Sequence, residues 1–505
     1  MKARPIMIQG TGSHVGKSVL TAALLRILCD SGLKAAPFKA QNMALNSHVT
    51  SDGGEIGRAQ AFQAFAAGVE PSVDMNPVLL KPSGDSLSQV IIHGKACGVM
   101  SAVEYHAFKK KAAAFVLESY SRLASLYDVI VIEGAGSPAE VNLRENDIAN
   151  MGMAILADSP VILVGDIDRG GVFASLVGTM ELLTDEERER VRGFVINKFR
   201  GDIALLKPGL DFLEKRTGRK VLGVVPYMPT SDIPDEDGVA LQGAAAGPSG
   251  GVVDIAVIKF PRISNFTDFD PFKTLGVRLR FIEDPASIAS ADMVILPGTK
   301  NTLGDLEWLK SKGFARALKD FRDRGGEVCG ICGGFQMLGR EVEDPYGVES
   351  ALGRVEGLSL LDAATVMSRE KATFQVKGSV AAPWGGVHEI EGYEIHMGST
   401  TVASAPFARI TERNSEAVEI EDGGVSPEGA VWGTYIHGIF DNDGFTASLI
   451  ARLKRKKGLA SGSFPAPFAS RREAAVAALA AKVRESLRMD EIMRIIGVGE
   501  PVKNL

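Results

Sequence analysis

Residues 10–18 read Gly10-Thr-Gly-Ser-His-Val-Gly16-Lys17-Ser18 and lie between a short apolar run at 5–9 and a helical pattern at 19–28. A glycine-rich loop between a strand and a helix points backbone N–H groups at an anion, at the positive end of the helix. Lys17 would reach the terminal phosphates of a nucleotide, and Ser18 could ligate Mg²⁺. The loop predicts a parallel α/β fold that binds ATP through Gly12, Ser13, Val15, Gly16, Lys17 and Ser18.

The rest of the first half has the pattern of a parallel sheet covered by helices. Short β-branched runs alternate with longer helical patterns. Candidate strands lie at 6–9, 129–133, 161–166, 193–197 and 221–225. Polar residues follow several of these strands, and in an open parallel sheet such positions share one edge. Among them, Glu133 could bind the Mg²⁺ opposite Ser18.

An uncharged stretch at 243–251, rich in glycine and alanine, interrupts this pattern, and we interpret it as the main linker. A second α/β series follows, with candidate strands at 254–260, 277–282, 293–297 and 327–329. Residues 351–421 are richer in strand pattern, and residues 446–493 favour helix. We therefore expect an N-terminal domain at 1–242, a second domain at 252–445 and a helical extension at 446–505.

The second series contains a candidate nucleophile. Residues 330–336 read Gly-Ile-Cys332-Gly-Gly-Phe-Gln and follow a predicted strand directly. A sharp strand-to-helix turn holds a side chain out for attack, as in the nucleophile elbow. His437, in Gly433-Thr-Tyr-Ile-His437-Gly, could activate this thiol.

Cys329 and Cys332 also form a Cys-x-x-Cys pair, which can indicate a zinc or redox site. Zinc would need a further close cysteine or histidine pair, and the sequence offers none. A redox dithiol is not usually followed by Gly-Gly-Phe-Gln. A nucleophilic Cys332 is therefore favoured over these two and over a purely structural buried cysteine, with Cys329 in the strand core.

Composition narrows the class of protein. A chain of 505 residues is too long for one core, and the net charge of -6 has no basic run suited to nucleic acid or an anionic membrane. No apolar stretch approaches the roughly 20 residues that cross a bilayer. Four cysteines in such a chain favour a reducing compartment, so we expect a cytoplasmic protein.

Each half resembles a known class of domain. The glycines at 10 and 12 resemble the long loop of dethiobiotin-synthetase-like phosphate-loop enzymes, which activate carboxylates or amines. Gly330-x-Cys332-x-Gly334-x-Gln336 and the stretch at 433–440 resemble class I glutamine amidotransferase domains. In those domains a glutamate follows the histidine by two residues, where this chain has Ile439. Cys332 and His437 would then act as a dyad, or with a third residue that we leave unassigned.

The amidotransferase resemblance implies a reaction. The Cys332 thiolate would attack the carboxamide of glutamine, release ammonia and leave a thioester for hydrolysis. Backbone donors at Gly333, and in the turn that contains Gly298, would stabilise the oxyanion. With an ATP site that forms an acyl phosphate, the chain would be an ATP-dependent amidoligase.

Over nearly its full length the chain resembles the cobyric acid synthase family of cobalamin biosynthesis, through stretches that include 39–47, 52–60, 76–82, 261–270 and 392–398. The resemblance implies amidation of the b, d, e and g carboxylates of adenosylcobyrinic acid a,c-diamide, a corrinoid, with ATP, Mg²⁺ and glutamine. It also implies that Lys39, Gln41 and Asn42 face the substrate carboxylate. Asn197 resembles the adenine reader of related phosphate-loop enzymes, and Glu55 is a further candidate ligand of Mg²⁺.

Two alternatives remain at this point. Cobyrinic acid a,c-diamide synthase has the same plan but amidates other side chains, and the stretches at 39–47 and 261–270 favour the first assignment over it. A phosphate-loop ATPase that acts as a binding or partitioning protein belongs to another class. That alternative leaves Cys332 and His437 without a role.

Overall fold

The computed structural model describes residues 3–83, 87–228, 252–460 and 464–499, so the predicted linker at 243–251 lies outside the described residues. The N-terminal half contains strands β1 (Arg4–Gly10), β2 (Ala35–Phe38), β3 (Gln41–Met43), β4 (Ser47–Val49), β5 (Glu55–Gly57), β6 (Val78–Pro82), β7 (Leu87–Ile92), β8 (Lys95–Ser101), β9 (Val129–Glu133), β10 (Val161–Asp166), β11 (Val191–Phe199) and β12 (Lys220–Pro226). Its helices are α1 (Lys17–Asp30), α2 (Arg58–Ala67), α3 (Ala102–Leu126), α4 (Met151–Leu156), α5 (Val172–Leu182), α6 (Asp185–Arg190) and α7 (Ile203–Thr217).

The C-terminal half contains strands β13 (Asp254–Ile258), β14 (Arg278–Ile282), β15 (Met293–Leu296), β16 (Glu327–Ile331), β17 (Glu341–Glu343), β18 (Arg354–Glu356), β19 (Ala363–Ala381), β20 (Val387–Val402), β21 (Ala408–Arg413), β22 (Glu416–Asp422), β23 (Gly424–Val425), β24 (Val431–Thr434) and β25 (Ile436–His437). Its helices are α8 (Thr302–Ser311), α9 (Phe314–Asp323), α10 (Gly333–Leu338), α11 (Asp443–Lys456), α12 (Phe468–Ser486) and α13 (Met489–Ile496).

The main sheet of the N-terminal half is parallel, in the order β12-β11-β10-β1-β9-β2. Its central strands are buried on both faces, under one hydrophobic cluster on each side. This explains their continuous apolar runs and confirms the predicted α/β fold. The carboxyl ends of β1, β9 and β11 meet at one edge, which brings the phosphate loop close to residues that follow the other two strands.

The C-terminal half is built on a second sheet, β14-β13-β15-β16-β24-β23, which is parallel except for β23. An antiparallel layer dominated by the long pair β19 and β20 packs beside it and confirms the strand-rich stretch predicted after residue 351. The thiol follows β16, and the histidine lies on β25, which pairs with β20. The site therefore forms where the two sheets meet.

Two small sheets were not predicted, β3-β6-β7-β8 and β4-β5. Several of these strands span only three residues, too few for a two-residue alternation to be recognised. The β4-β5 sheet contacts the C-terminal half through Ser47 and Glu55.

The helical C-terminal segment is divided between two cores. Helix α11 crosses the predicted boundary at 445 and buries Phe445, Leu449 and Leu453 in the core of the C-terminal half. Helices α12 and α13 instead bury side chains against α1 and the first sheet. Within the part of the chain that the structure describes, none of the helices is long and apolar enough to span a membrane.

Candidate active sites

The phosphate loop encloses its own lysine. Lys17 Nζ donates to the carbonyl oxygens of Gly12 at 2.8 Å and Gly136 at 3.1 Å. Gly16 has a φ of 96°, and a Cβ there would lie 2.2 Å from Nδ2 of Asn197, so glycine is required on two counts. Asn197 Nδ2 donates to the carbonyl of Val15 at 2.8 Å. Asn197 thus supports the loop from β11 and also lines the adjoining cavity.

Glu133 lies opposite Ser18, as the sequence predicts. Ser18 Oγ donates to Oε1 of Glu133 at 2.8 Å, and Lys39 Nζ donates to the same oxygen at 2.8 Å. Gln63 Nε2 donates to the other oxygen at 2.5 Å. Sequence reasoning missed Gln63, because nothing in its spacing along α2 relates it to β9.

The Ser18 hydroxyl and Glu133 carboxylate fit a magnesium site that is completed by phosphate and water. Mg²⁺ favours hard oxygen ligands and in nucleotide sites commonly takes only one or two from carboxylates. Among the described residues, no cluster of three or more His, Cys, Asp or Glu side chains is arranged to hold a metal. An ion at Glu133 would draw its remaining ligands from the nucleotide.

A cavity of about 870 Å³ opens from the loop. Its lining includes Lys39, Gln41 and Asn42, so the structure brings these residues to the nucleotide region. Gln41 Oε1 accepts from the Tyr105 hydroxyl at 2.7 Å, and Asn42 Nδ2 donates to Gln60 at 2.9 Å. Both amides are held in place while they face the cavity.

Glu55 lies elsewhere, which removes the support for its role as a magnesium ligand. It is buried against the C-terminal half, and its carboxylate pairs with Lys81 at 2.7 Å and with Lys371. Burial opposes ionisation of Glu55, but the two ammonium groups outweigh it and hold the pKa of Glu55 below its usual range. It does not line the nucleotide cavity.

Cys332 occupies a strained turn between β16 and α10. Its backbone has a φ of 52° and a ψ of -112°, a conformation that costs free energy and is found mostly at functional sites. The neighbouring glycines allow the turn. A Cβ on Gly334 would lie 1.9 Å from the carbonyl oxygen of Leu296, and one on Gly330 would lie 2.6 Å from the carbonyl oxygen of Gly334.

The structure brings His437 to Cys332 and supplies a third residue, Asp268. His437 Nδ1 lies 2.6 Å from Oδ2 of Asp268, and its ring is within electrostatic reach of the Cys332 thiol, which donates to the carbonyl of Ile395 at 3.5 Å. Burial alone would lower the pKa of His437, but the Asp268 carboxylate outweighs it and, with Cys332, raises that pKa to about 10. Of the two alternatives that Ile439 left open, a dyad or a third residue from elsewhere, the geometry favours the second, because the Asp268 carboxylate reaches the imidazole from the segment after β13.

Asp268 belongs to a 3₁₀ helix, Phe266–Thr274, that follows β13. Its stretch at 261–270 was noted in the sequence, but no local spacing relates it to a histidine 169 residues away. The one pattern that could have pointed to Asp268 is its position after β13, a strand of the same sheet as β16, which precedes Cys332. That signal is weak without the fold.

Gly298 and Gly333 both belong to turns close to the Cys332–His437 site. A Cβ on Gly333 would lie 2.8 Å from Cγ2 of Thr299, and a Cβ on Gly298 would lie 3.1 Å from Cε1 of His437. The Thr299 hydroxyl donates to the buried Asp305 carboxylate at 2.5 Å, which fixes the turn. Burial raises the pKa of Asp305 to about 6. The turn after β15 and the start of α10 therefore pack against each other next to Cys332.

The N-terminal half reaches into this site through Ser47. Its backbone N–H donates to Oδ1 of Asn265 at 2.8 Å, and its carbonyl accepts from the Tyr393 hydroxyl at 3.0 Å. Nδ2 of Asn265 lies 3.3 Å from Nε2 of His437, and the Tyr393 ring stacks on the imidazole at 5.2 Å between centroids. A residue of the nucleotide half therefore holds two groups that contact the histidine.

Comparison with known proteins gives a domain family for each half of the chain. Residues 6–238 match the CobQ/CobB/MinD/ParA nucleotide binding domain, and residues 254–445 match the CobB/CobQ-like glutamine amidotransferase domain. A solved structure, PurLQS from Thermotoga maritima, overlaps 37% of this chain and 87% of its own, with 17% identity and a TM-score of 0.29, too low to add to the assignment.

Curated relatives match the whole chain. Cobyric acid synthase from Moorella thermoacetica is 50% identical over 99% of this chain and 98% of its own length. The enzyme of that name from Desulforamulus reducens is 51% identical over 99% of both, and that from Sorangium cellulosum is 53% identical over 99% of both. With both domain matches in place, the chain belongs to the cobyric acid synthase family and is a glutamine-hydrolysing, ATP-dependent amidoligase.

Proposed function

We propose that the protein amidates the b, d, e and g carboxylates of adenosylcobyrinic acid a,c-diamide to give adenosylcobyric acid, with ammonia from glutamine and energy from ATP. The observation that carries this proposal is the presence of a phosphate-loop cavity and a Cys332–His437–Asp268 site in one chain, joined through Ser47. The names of the relatives support the corrinoid substrate. We expect the reaction to take place in the cytoplasm.

In the nucleotide half, the loop would bind the ATP phosphates, and Lys17 would leave its carbonyl partners to contact them. Ser18 and Glu133 would hold a magnesium ion that neutralises charge on the transferring phosphoryl group. Lys39, Gln41 and Asn42 would orient the corrinoid carboxylate for attack on that group. The products are ADP and an acyl phosphate, and ammonia then displaces phosphate from the acyl phosphate to give the amide.

In the amidotransferase half, His437 would already hold the Cys332 proton as an imidazolium, and the resulting thiolate would attack the carboxamide carbon of glutamine. The imidazolium then gives that proton to the leaving ammonia, while Asp268 keeps the ring oriented through Nδ1. The N–H groups near Gly298 and Gly333 would stabilise the oxyanion. Water hydrolyses the remaining thioester to glutamate and frees the thiol.

A substitution of the nucleophile tests this division of labour. Cys332→Ala should abolish glutamate release and glutamine-dependent amidation, yet amidate the corrinoid when ammonia is supplied at alkaline pH. Cys329→Ala, three residues earlier in the strand core, is the matched control and should keep glutamine-dependent activity. A folded Cys332→Ala protein that also loses the ammonia-dependent reaction would contradict the proposal.

Mass spectrometry of the corrinoid product tests the substrate. Each conversion of a carboxylic acid to an amide exchanges a hydroxyl for an amino group and lowers the mass by a fixed amount. Incubation of the a,c-diamide with ATP and glutamine should produce a series that ends when b, d, e and g are all amides. Conversion only of the a and c groups of the unamidated acid would indicate the diamide synthase, and the absence of any amide would favour a binding ATPase.

A further inference from the structure

A small cavity next to Cys332 contains charged groups that the reaction described so far does not use. It has a volume of about 30 Å³ and is lined by Cys332, Gln336, Lys300, Glu349, Lys371 and Lys81, among others. A water molecule fits in this space, but an amino acid does not. The wall must therefore move to admit a substrate, and its charges indicate which substrate it receives.

Two of the lysines are already paired. Lys81 and Lys371 both contact the buried carboxylate of Glu55. A bulge in β19 between Met367 and Ala372 accompanies the inward position of Lys371. Lys81 and Lys371 line the cavity, and Glu55 holds both of them from behind.

Lys300 and Glu349 are arranged differently. Among the residues that the structure describes, the Lys300 ammonium makes no hydrogen bond or ion pair, although it lies within electrostatic reach of Glu349 and Cys332. The Glu349 carboxylate accepts from the backbone N–H of Thr302 at 2.8 Å. The loop that carries Glu349 is fixed by Asp344, which accepts from the N–H of Glu349 at 2.8 Å.

Leaving these two charges apart in a buried site has a cost. Burial lowers the pKa of Lys300 and raises the pKa of Glu349, so both charged forms are disfavoured relative to water. Charged groups in such places are normally paired or hydrogen-bonded. A ligand that brings one negative and one positive group to the cavity would pair with both charges and remove this free-energy cost.

We propose that Lys300 and Glu349 form the subsite for the zwitterionic end of glutamine, with Lys300 binding its α-carboxylate and Glu349 its α-ammonium group. This inference rests on the proposed glutaminase reaction and names the residues that select its substrate. The carboxamide end is directed to Cys332 in the same cavity. Glutamine enters with its two charges matched, while an amide that lacks either charge leaves one protein charge unpaired.

Two analogues with one charge removed test the subsite. Glutaramic acid lacks the α-ammonium group of glutamine, and 4-aminobutanamide lacks its α-carboxylate. Ammonia release from each should be slow in the wild-type protein. In Lys300→Met the preference for glutamine over 4-aminobutanamide should fall by about 10- to 1,000-fold, and in Glu349→Gln the preference for glutamine over glutaramic acid should fall similarly.

Each variant is its own control for folding, because the measured quantity is a ratio of two substrates on one protein. Lys300→Arg should restore part of the lost preference. Lys312→Met and Glu307→Gln, on exposed positions of the same region, should behave as wild type. A loss in kcat with unchanged KM and unchanged ratios would indicate that Lys300 acts on the thiol instead and would overturn the inference.

The outcomes separate this inference from the proposed function. If the wild-type protein releases no glutamate from glutamine, the glutaminase reaction is wrong and the subsite falls with it. If wild type releases glutamate through Cys332 but both variants keep the wild-type preferences, only the subsite is wrong. The assignment would also be contradicted if Lys300→Met changed the preference for glutamine over glutaramic acid but not the preference over 4-aminobutanamide.

Discussion

Asp268 shows how a single carboxylate determines the state of the candidate glutaminase. Its contact with His437 at 2.6 Å favours the imidazolium against the effect of burial. Asp268→Asn keeps the shape and removes the charge, so we expect glutamine hydrolysis to fall by about 10²–10⁴-fold, the range of a general acid–base contribution. Asp320→Asn, at an exposed position of α9, should have no effect. Glutamate release by the two variants is the measurement, and equal rates would show that His437 does not need its carboxylate.

The same pair makes stability depend on pH. The pKa of His437 in the folded protein, about 10, lies above its ordinary value of 6.5. The contribution of protonated His437 to the free energy of unfolding is therefore complete below pH 6.5 and is lost as the pH rises through about 10. The gap in unfolding midpoint between wild type and Asp268→Asn should be widest below pH 6.5 and narrow toward pH 10. A gap that widens with pH would contradict the direction of this shift.

The local motifs and the pairs Ser18–Glu133 and Cys332–His437 could be predicted from the sequence, but the residues that the fold brings to these pairs from elsewhere could not. The phosphate loop and the Cys332 turn are local patterns whose glycines have steric causes. Asp268 and Asn265 reach His437 from the segment after β13, and Lys300 reaches the surroundings of Cys332 from the turn after β15, and no spacing along the chain encodes that meeting. Ile439 correctly indicated that the usual glutamate is missing, but not where its replacement lies.

At the scale of elements, the close approach of α10 to the strands determines where the thiol lies. Gly334→Ala would place a methyl group 1.9 Å from the Leu296 carbonyl oxygen and push α10 away from β15. We expect a loss of about 1–3 kcal/mol or more in stability, as for overpacked cores, and slower alkylation of Cys332.

Helix α5 supplies the control for this substitution. Gly178 has open space around its Cβ position, so Gly178→Ala should stabilise the protein by up to about 1 kcal/mol. Thermal unfolding and iodoacetamide labelling measure both variants. If Gly334→Ala leaves both the unfolding temperature and the labelling rate unchanged, the close packing of α10 is not required.

At the scale of the whole molecule, the chain returns from the C-terminal half to complete the core of the N-terminal half. Leu479 and Val483 of α12 and Ile492 and Ile496 of α13 are buried against the first sheet and α1. Fully burying a side chain of this size contributes about 1.5–3 kcal/mol.

A protein truncated after residue 460 should therefore lose stability selectively. The N-terminal half should unfold at a lower temperature and bind ATP more weakly, and residues 464–505 added as a separate peptide should restore part of both. Calorimetry with and without ATP is the measurement. Equal unfolding temperatures for the truncated and full-length proteins would show that α12 and α13 are dispensable.

The contact from Ser47 to Asn265 has a consequence for how such enzymes can be recombined. Ser47, Glu55 and Lys81 come from the nucleotide half but form part of the surroundings of Cys332 and His437. An exchange of halves between two relatives would preserve the ammonia supply only if these three positions matched the incoming amidotransferase. Glutamine use thus requires residues of both halves and not only the domain that carries the cysteine. Chimaeras joined between residues 228 and 252 should lose glutamine-dependent activity where these three positions do not match.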